Sequence, residues 1–226
     1  MPLDIAQDLR SRFGTARDQG ERPTCMAFAA SDAHAAARGG WAELSCEFAF
    51  YHAQRRAGRS PRLGASLRSM LDALKLDGQP LEGAWPYLET LPSDLTGYAP
   101  PSTCEVFRRD GEAHAHELTA VIENLDQGVP SMIILELSDA FYTPDAQGVV
   151  RPRAGDPPDP QRRHAVIAVG HGLLDGVRLV LIRNSWGTSW GLSGHAWLTE
   201  DFLTPRIIHA ARLTETTDVP RSHIAA

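Results

Sequence analysis

Cys25, His164 and Asn184 are residue types that together can carry out nucleophilic acyl chemistry, and Gln19 adds a neutral hydrogen-bond donor. Cys25 ends the segment Gln19-Gly20-Glu21-Arg22-Pro23-Thr24-Cys25 and begins the Ala-rich run CMAFAASDAHAAAR, whose composition predicts a helix that stops at Gly39-Gly40. Thr24 stands where a hydroxyl can cap that helix. A helix N-terminus favours a thiolate through its dipole and its free N–H groups, so the position predicts a lowered thiol pKa. The same N–H groups can face an oxyanion, and Gln19 can supply a second donor without burying a charge.

A cysteine in an Ala-rich helix is, taken alone, more often a small buried hydrophobe than a nucleophile. The distant residues change that reading. His164 lies 164 − 25 = 139 residues downstream of Cys25, within the roughly 130–150 residues that separate one type of Cys–His pair. Asn184 follows 20 residues later in NSWGTSWG. A neutral amide can hold the far nitrogen of an imidazole and so fix its tautomer while the near nitrogen pairs with sulfur. Trp186 is close enough in sequence to keep water from that bond.

The elements that must position these groups divide by order along the chain. Ser45 opens CEFAFYHAQRRA, which stops at Gly58, and Ser66 opens LRSMLDALKLD, which stops at Gly78. Leu67, Met70, Leu71 and Leu74 share a face of the latter at helical spacing and read as core. From Trp85 to Asp110, Pro, Ser, Thr and Gly predict an irregular crossover. The helix HELTAVIENLDQG then leads into SMIILEL, HAVIAVG, VRLVLIRN, HAWLT and RIIHAARL, which read as strands of an antiparallel sheet. Helices first and strands later predict an α+β fold in one domain, with a helical half over about 1–110, a β-rich half over about 111–214 and a tail at 215–226. A cleft is expected between the halves.

Composition narrows the function classes. Apolar residues make up 42% and charged residues 22% of 226, as in ordinary soluble domains. A net charge of −6 leaves no basic surface for phosphate backbones, so nucleic acid is not an expected partner. No apolar run is long enough to span a membrane, and the first residues lack the apolar core of a secretory signal. Cys25, Cys46 and Cys104 are an odd set without metal-type spacing, which predicts at least one free thiol and a reducing, cytoplasmic setting. His114 and His116 lack a third ligand and read as a solvated helix start, so no metal is expected.

Arg17-Asp18-Gln19-Gly20, Cys25-Met26-Ala27-Phe28-Ala29, His164-Ala165-Val166 with Gly170 and Gly172, Asn184-Ser185-Trp186-Gly187 and Trp190-Gly191 occur in an order that resembles papain-like cysteine peptidases. Gly64-Ala65-Ser66 is similar to that family's substrate-binding glycine loop, and Trp85-Pro86-Tyr87 to its aromatic-Pro-Tyr turn. The resemblance implies a two-lobed papain-like fold with Cys25 as nucleophile, His164 as general base and acid, Asn184 as orienter, and Gln19 with the Cys25 N–H as oxyanion hole. It further implies a resting thiolate–imidazolium pair, an acyl-thioester intermediate, no cofactor, and a peptide or protein substrate bound along Pro23, Gly64, Ala65, Ser66, Arg163 and Trp186.

Several positions depart from the family pattern. Arg22 and Pro23 replace a disulfide-forming cysteine and a glycine, Ala65 replaces a glycine, Met26 a tryptophan, and Arg163 a polar or acidic residue. Pro23 is expected to narrow the pocket and shift the substrate repertoire. Arg162-Arg163 raises the idea of acidic substrates, although short charge clusters usually face water. The family-like region begins almost at Met1 and lacks the family's disulfides, so the resemblance predicts an intracellular, bacterial-style monomer restrained by means other than a propeptide, such as a regulatory partner. Transfer of the acyl group to an amine, as in a ligase or cyclase, and a non-catalytic peptide-binding scaffold are the competing readings.

Overall fold

The computed structural model describes residues 3–214, and the tail expected at 215–226 lies outside the described residues. Six α-helices occur among them: α1 (Cys25–Ala37), α2 (Cys46–Arg56), α3 (Leu67–Leu76), α4 (Leu118–Asp126) and the single turns α5 (Asp139–Tyr142) and α6 (Glu200–Leu203). The strands are β1 (Asp4–Asp8), β2 (Gly111–His114), β3 (Ser131–Glu136), β4 (Val149–Val150), β5 (Arg163–Leu174), β6 (Val177–Arg183), β7 (His195–Thr199) and β8 (Ile207–Leu213). They join in one sheet in the order β2-β8-β3-β5-β6-β7-β4, with β1 added on β5.

Local chemistry accounts for the starts of α2 and α3. The Ser45 hydroxyl accepts the Phe48 N–H at 3.1 Å, and the Ser66 hydroxyl accepts the Ser69 N–H at 3.2 Å. Thr24 does hold the N-cap position of α1, but its side chain makes no cap hydrogen bond. Its hydroxyl lies 2.8 Å from that of Tyr87, which competes successfully for it. His114 is the last residue of β2, not a helix start, and its Nε2 lies 3.2 Å from the Ser131 hydroxyl.

The five expected strands are all present as β3, β5, β6, β7 and β8 and pair antiparallel, whereas the short β4, which was not expected, runs parallel to β7. β1 crosses the expected boundary, since this segment of the helical half pairs with β5 of the sheet half. Two glycines permit it. A Cβ on Gly170 would stand 2.5 Å from the Gln7 carbonyl oxygen, and one on Gly172 would stand 2.4 Å from that of Asp4. The strand can approach only because those atoms are missing.

One apolar cluster runs from Ala27 and Phe28 of α1, through Met70 and Leu74 of α3, to Ile133, Val166 and Leu181 of the sheet. Beneath the cleft the halves are also joined by charge. Asp32 of α1 accepts from Arg17 Nη2 at 2.5 Å and from Arg183 Nε of β6 at 2.8 Å. Arg183 is 1% exposed and donates in addition to the Gly14 and Thr15 carbonyls, both at 2.8 Å. Each of its three nitrogens therefore has a fixed partner, as a buried guanidinium needs.

Candidate active site

Cys25 is the first residue of α1, and its sulfur is hydrogen-bonded by the backbone of Ala165, the residue after His164 in β5. Helix start and strand start thus bring the thiol and the imidazole to opposite walls of one cleft. Gln19, Cys25 and His164 all line this cleft, whose volume is about 970 Å³. The helical wall continues through Pro23, Gly64, Ala65, Ser66, Leu67, Arg68 and Leu71. The sheet wall continues through Ile134, Arg163, Ala165, Ile208 and His209, with Gly111 and Ala113 of β2 between the walls.

His164 Nε2 lies 2.7 Å from Asn184 Oδ1, so Nε2 carries the proton and donates, which leaves Nδ1 for the thiol. The same Oδ1 accepts the Ser185 N–H at 2.8 Å, which fixes the amide from its own backbone. Trp186 covers this bond, with its ring centroid 4.7 Å from that of His164. Trp186 is in turn stacked on Tyr142 at 5.3 Å and set edge-on to Phe141 at 5.4 Å. It lies behind the histidine and is not among the residues that line the cleft, where substrate contact was expected of it.

Gln19 is held at both ends of its amide. Its Oε1 accepts the Ser185 hydroxyl at 2.7 Å, and its Nε2 donates to the Arg22 carbonyl at 2.8 Å. An amide nitrogen carries two protons, so one N–H remains for the cleft. The Gln19 carbonyl accepts the Tyr87 hydroxyl at 2.7 Å, and Gln19 N–H donates to Ser185 O at 2.9 Å. Asp18 accepts from Gly20 N–H at 2.9 Å and bridges to Trp186, tying down the loop.

The electrostatics differ from the expectation of a lowered thiol pKa. Burial pushes the Cys25 thiol up, against hydrogen bonds from the Ala165, Met26 and Cys25 backbone that pull it down. Burial likewise pushes His164 down to about 4, against the bond to Asn184 that pulls it up. Each group alone resists charging because burial disfavours its charged form.

Of the remaining expected residues, Gly64 and Ala65 have no backbone hydrogen bond among the described residues, which leaves their polar groups for an extended ligand. Pro23 packs by this segment, its carbonyl oxygen 3.7 Å from where a Gly64 Cβ would be. Arg163 lines the cleft with a side chain that is 60% exposed and lies 3.6 Å from Glu136. Arg162 turns away to the surface and binds Asp139 at 2.6 Å and Asp159 at 2.8 Å. Cys25, Cys46 and Cys104 are all free. Sequence reasoning missed Ser185 as the clamp on Gln19, and it missed Ile208 and His209 as cleft residues. The only signal for the latter pair was the alternation in RIIHAARL.

Comparison with known proteins gives the family and the fold. Residues 82–207 match the model for papain family cysteine proteases, and this stretch contains His164 and Asn184. The chain belongs to that family. A cysteine protease of Blomia tropicalis is 37% identical over 78 residues, which is 34% of this chain and 23% of that protein. Cathepsin K of Gallus gallus is 28% identical over 123 residues, 53% of this chain and 35% of that protein. The aligned parts therefore span about a quarter to a third of these relatives. Xylellain, a cysteine protease from Xylella fastidiosa, has the same fold, with a TM-score of 0.79 at 22% identity over 94% of this chain and 87% of that one.

Proposed function

We propose that this chain is a cysteine peptidase that hydrolyses peptide bonds through Cys25, His164 and Asn184, with Gln19 and the Cys25 N–H as oxyanion donors. The observation that carries the reading is the 2.7 Å bond from His164 to Asn184 on the wall of a cleft lined by Cys25 and Gln19. A peptide lying along Gly64–Ser66 presents its carbonyl carbon to Sγ. Attack moves the thiol proton to His164 Nδ1 and the carbonyl electron pair to oxygen, where the free Gln19 N–H and the Cys25 N–H hold it. His164 then protonates the leaving amine, giving an acyl-thioester. Water, deprotonated by the same nitrogen, attacks the thioester and releases acid and thiol.

Desolvation supports this order. Burial disfavours the charged form of each group, so a direct passage of the proton from Sγ to Nδ1 during attack avoids charging either one alone. Cleavage of a mixed peptide library by the wild-type chain, absent in Cys25→Ala, tests the reading. Iodoacetamide labelling of Cys25 across pH adds the second arm. No cleavage of any peptide, together with labelling that follows an ordinary thiol of pKa about 8.5, would sink it and favour a binding scaffold. Capture of the acyl group by added amines in preference to water would favour a ligase.

A further inference from the structure

Arg22 occupies the loop between the oxyanion donor and the thiol, and its two ends do different things. Its carbonyl oxygen accepts from Gln19 Nε2 at 2.8 Å and from Thr24 N–H at 2.8 Å. Its guanidinium is buried and forks onto Glu47 of α2, Nη1 to Oε2 at 2.6 Å and Nη2 to Oε1 at 2.9 Å. Nη1 also donates to the Leu88 carbonyl at 2.5 Å, and the plane packs over the Tyr87 ring at 5.0 Å. Glu47 is fully buried and accepts further from the Leu88 N–H at 3.0 Å and the Tyr98 hydroxyl at 2.5 Å. Burial alone would lower the Arg22 pKa, yet the bonds and charge of Glu47 raise it, so the guanidinium keeps its charge.

We propose that Arg22 and Glu47 are positioning residues for the oxyanion donor, and that their ion pair aims Gln19 into the cleft. The inference rests on the reading of Gln19 given above. Arg22 precedes Pro23, which confines Arg22 to extended backbone and fixes its own φ, so the Arg22–Pro23 peptide has little freedom of its own. Anchoring the guanidinium on α2 therefore anchors the carbonyl. With one Gln19 N–H bound to that carbonyl and Oε1 bound to Ser185, the amide cannot rotate, and its second N–H has one direction left. A bidentate fork between a rigid helix and a short loop sets direction as well as distance, which a single point charge does not.

The test is a double-mutant cycle on peptide hydrolysis, with Glu47→Gln and Gln19→Ala alone and combined. Glu47→Gln is expected to lower kcat about tenfold with KM little changed, less than the roughly 10²–10³-fold typical when an oxyanion donor is lost outright. In the Gln19→Ala background Glu47→Gln is expected to cost less than about twofold, because no donor remains to be misaimed. Iodoacetamide labelling of Cys25, which develops no oxyanion, is expected to keep its wild-type rate in every variant. Removing one partner of a buried pair can unfold a protein. Tyr98→Phe is therefore run in parallel, since it takes one hydrogen bond from Glu47 and leaves the ion pair, with an expected loss in kcat of about threefold that also vanishes without Gln19. Additive losses, or equal losses in hydrolysis and labelling, overturn the inference while leaving the peptidase reading standing. A wild-type chain that cleaves nothing overturns both.

Discussion

The Ser185 hydroxyl donates to Oε1 of Gln19 at 2.7 Å and so decides which end of that amide faces the cleft. The next residue but one, Gly187, and the preceding residue, Asn184, are fixed independently, Asn184 through the 2.7 Å bond to His164 and Gly187 through its N–H on the Arg17 carbonyl at 3.1 Å. One four-residue turn thus orients the base and the oxyanion donor together. Ser185→Ala releases Oε1 and lets the amide turn over. We expect kcat to fall by about three- to tenfold with KM unchanged, and Ser185→Thr to restore most of it, a hydrogen bond to a neutral group being of order 1 kcal/mol. Steady-state kinetics on one cleaved peptide check this.

Asn184→Ala removes the acceptor that fixes the His164 tautomer. The ring can then turn under Trp186 and present the wrong nitrogen to the thiol. A fall in kcat/KM of about 10- to 100-fold is expected, less than the 10²–10⁴-fold contribution of a positioned acid or base, because the imidazole is misaligned and not removed. The neighbouring Ser185 N–H also loses its partner, so thermal melting should be measured alongside. A variant with unchanged melting and unchanged kcat/KM would remove Asn184 from the mechanism.

Arg163 and Arg162 are adjacent but do not share a destiny. Arg163 lines the cleft, whereas Arg162 is spent on Asp139 and Asp159. Arg163→Ala is expected to lower cleavage of peptides with an acidic side chain on the acyl side by about two- to fivefold relative to neutral ones, the scale of an exposed charge pair of 0.2–1 kcal/mol. Arg162→Ala should leave that ratio as it is. Competition between matched acidic and neutral peptides reads both, and an unchanged ratio in Arg163→Ala returns Arg163 to the solvated surface.

Burial holds three imidazoles, His34, His164 and His195, down to about 4. In the unfolded chain each titrates near 6.5. Between those values the unfolded state binds more protons, so stability is full above about pH 6.5 and is lost as the pH falls toward 4. Each imidazole adds a slope of up to about 1.4 kcal/mol per pH unit in that window. Urea midpoints at pH 7, 6 and 5 should decline accordingly. Replacing His34, whose Nδ1 lies 3.0 Å from Gln79 Oε1, by Gln should flatten the decline by about one imidazole's share.

Gly170→Ala tests the attachment of β1. The added methyl would meet the Gln7 carbonyl at 2.5 Å, too close for any rotamer to relieve. Amide hydrogen exchange of Asp4–Asp8 is expected to accelerate well beyond that of β5 and β6, with a lower melting temperature.

Much of this was legible from residue order. The thiol, histidine and asparagine were found by spacing, and Ser45 and Ser66 announced their helices because capping is a local interaction between residues three apart. What stayed hidden depends on partners far along the chain. Thr24 had the right type for a cap, but Tyr87, 63 residues away, takes its hydroxyl. β1, β2 and β4 are short and carry no hydrophobic alternation, so only pairing with β5, β8 and β7 makes them strands. The expected low thiol pKa was drawn from the helix end alone. It could not include the wall that β5 places over Cys25, and burial there outweighs the helix.

Asp32 lies beneath the cleft with one arginine from the loop and another from β6 on the same carboxylate. The two jaws are thereby riveted at their root. To gape, the molecule would have to part Asp32 from Arg183 and leave that buried guanidinium without its counter-charge, which costs several kcal/mol. A guest consequently meets an aperture whose width is already decided, and selection falls on what can thread through it, with little left for a closing motion to choose.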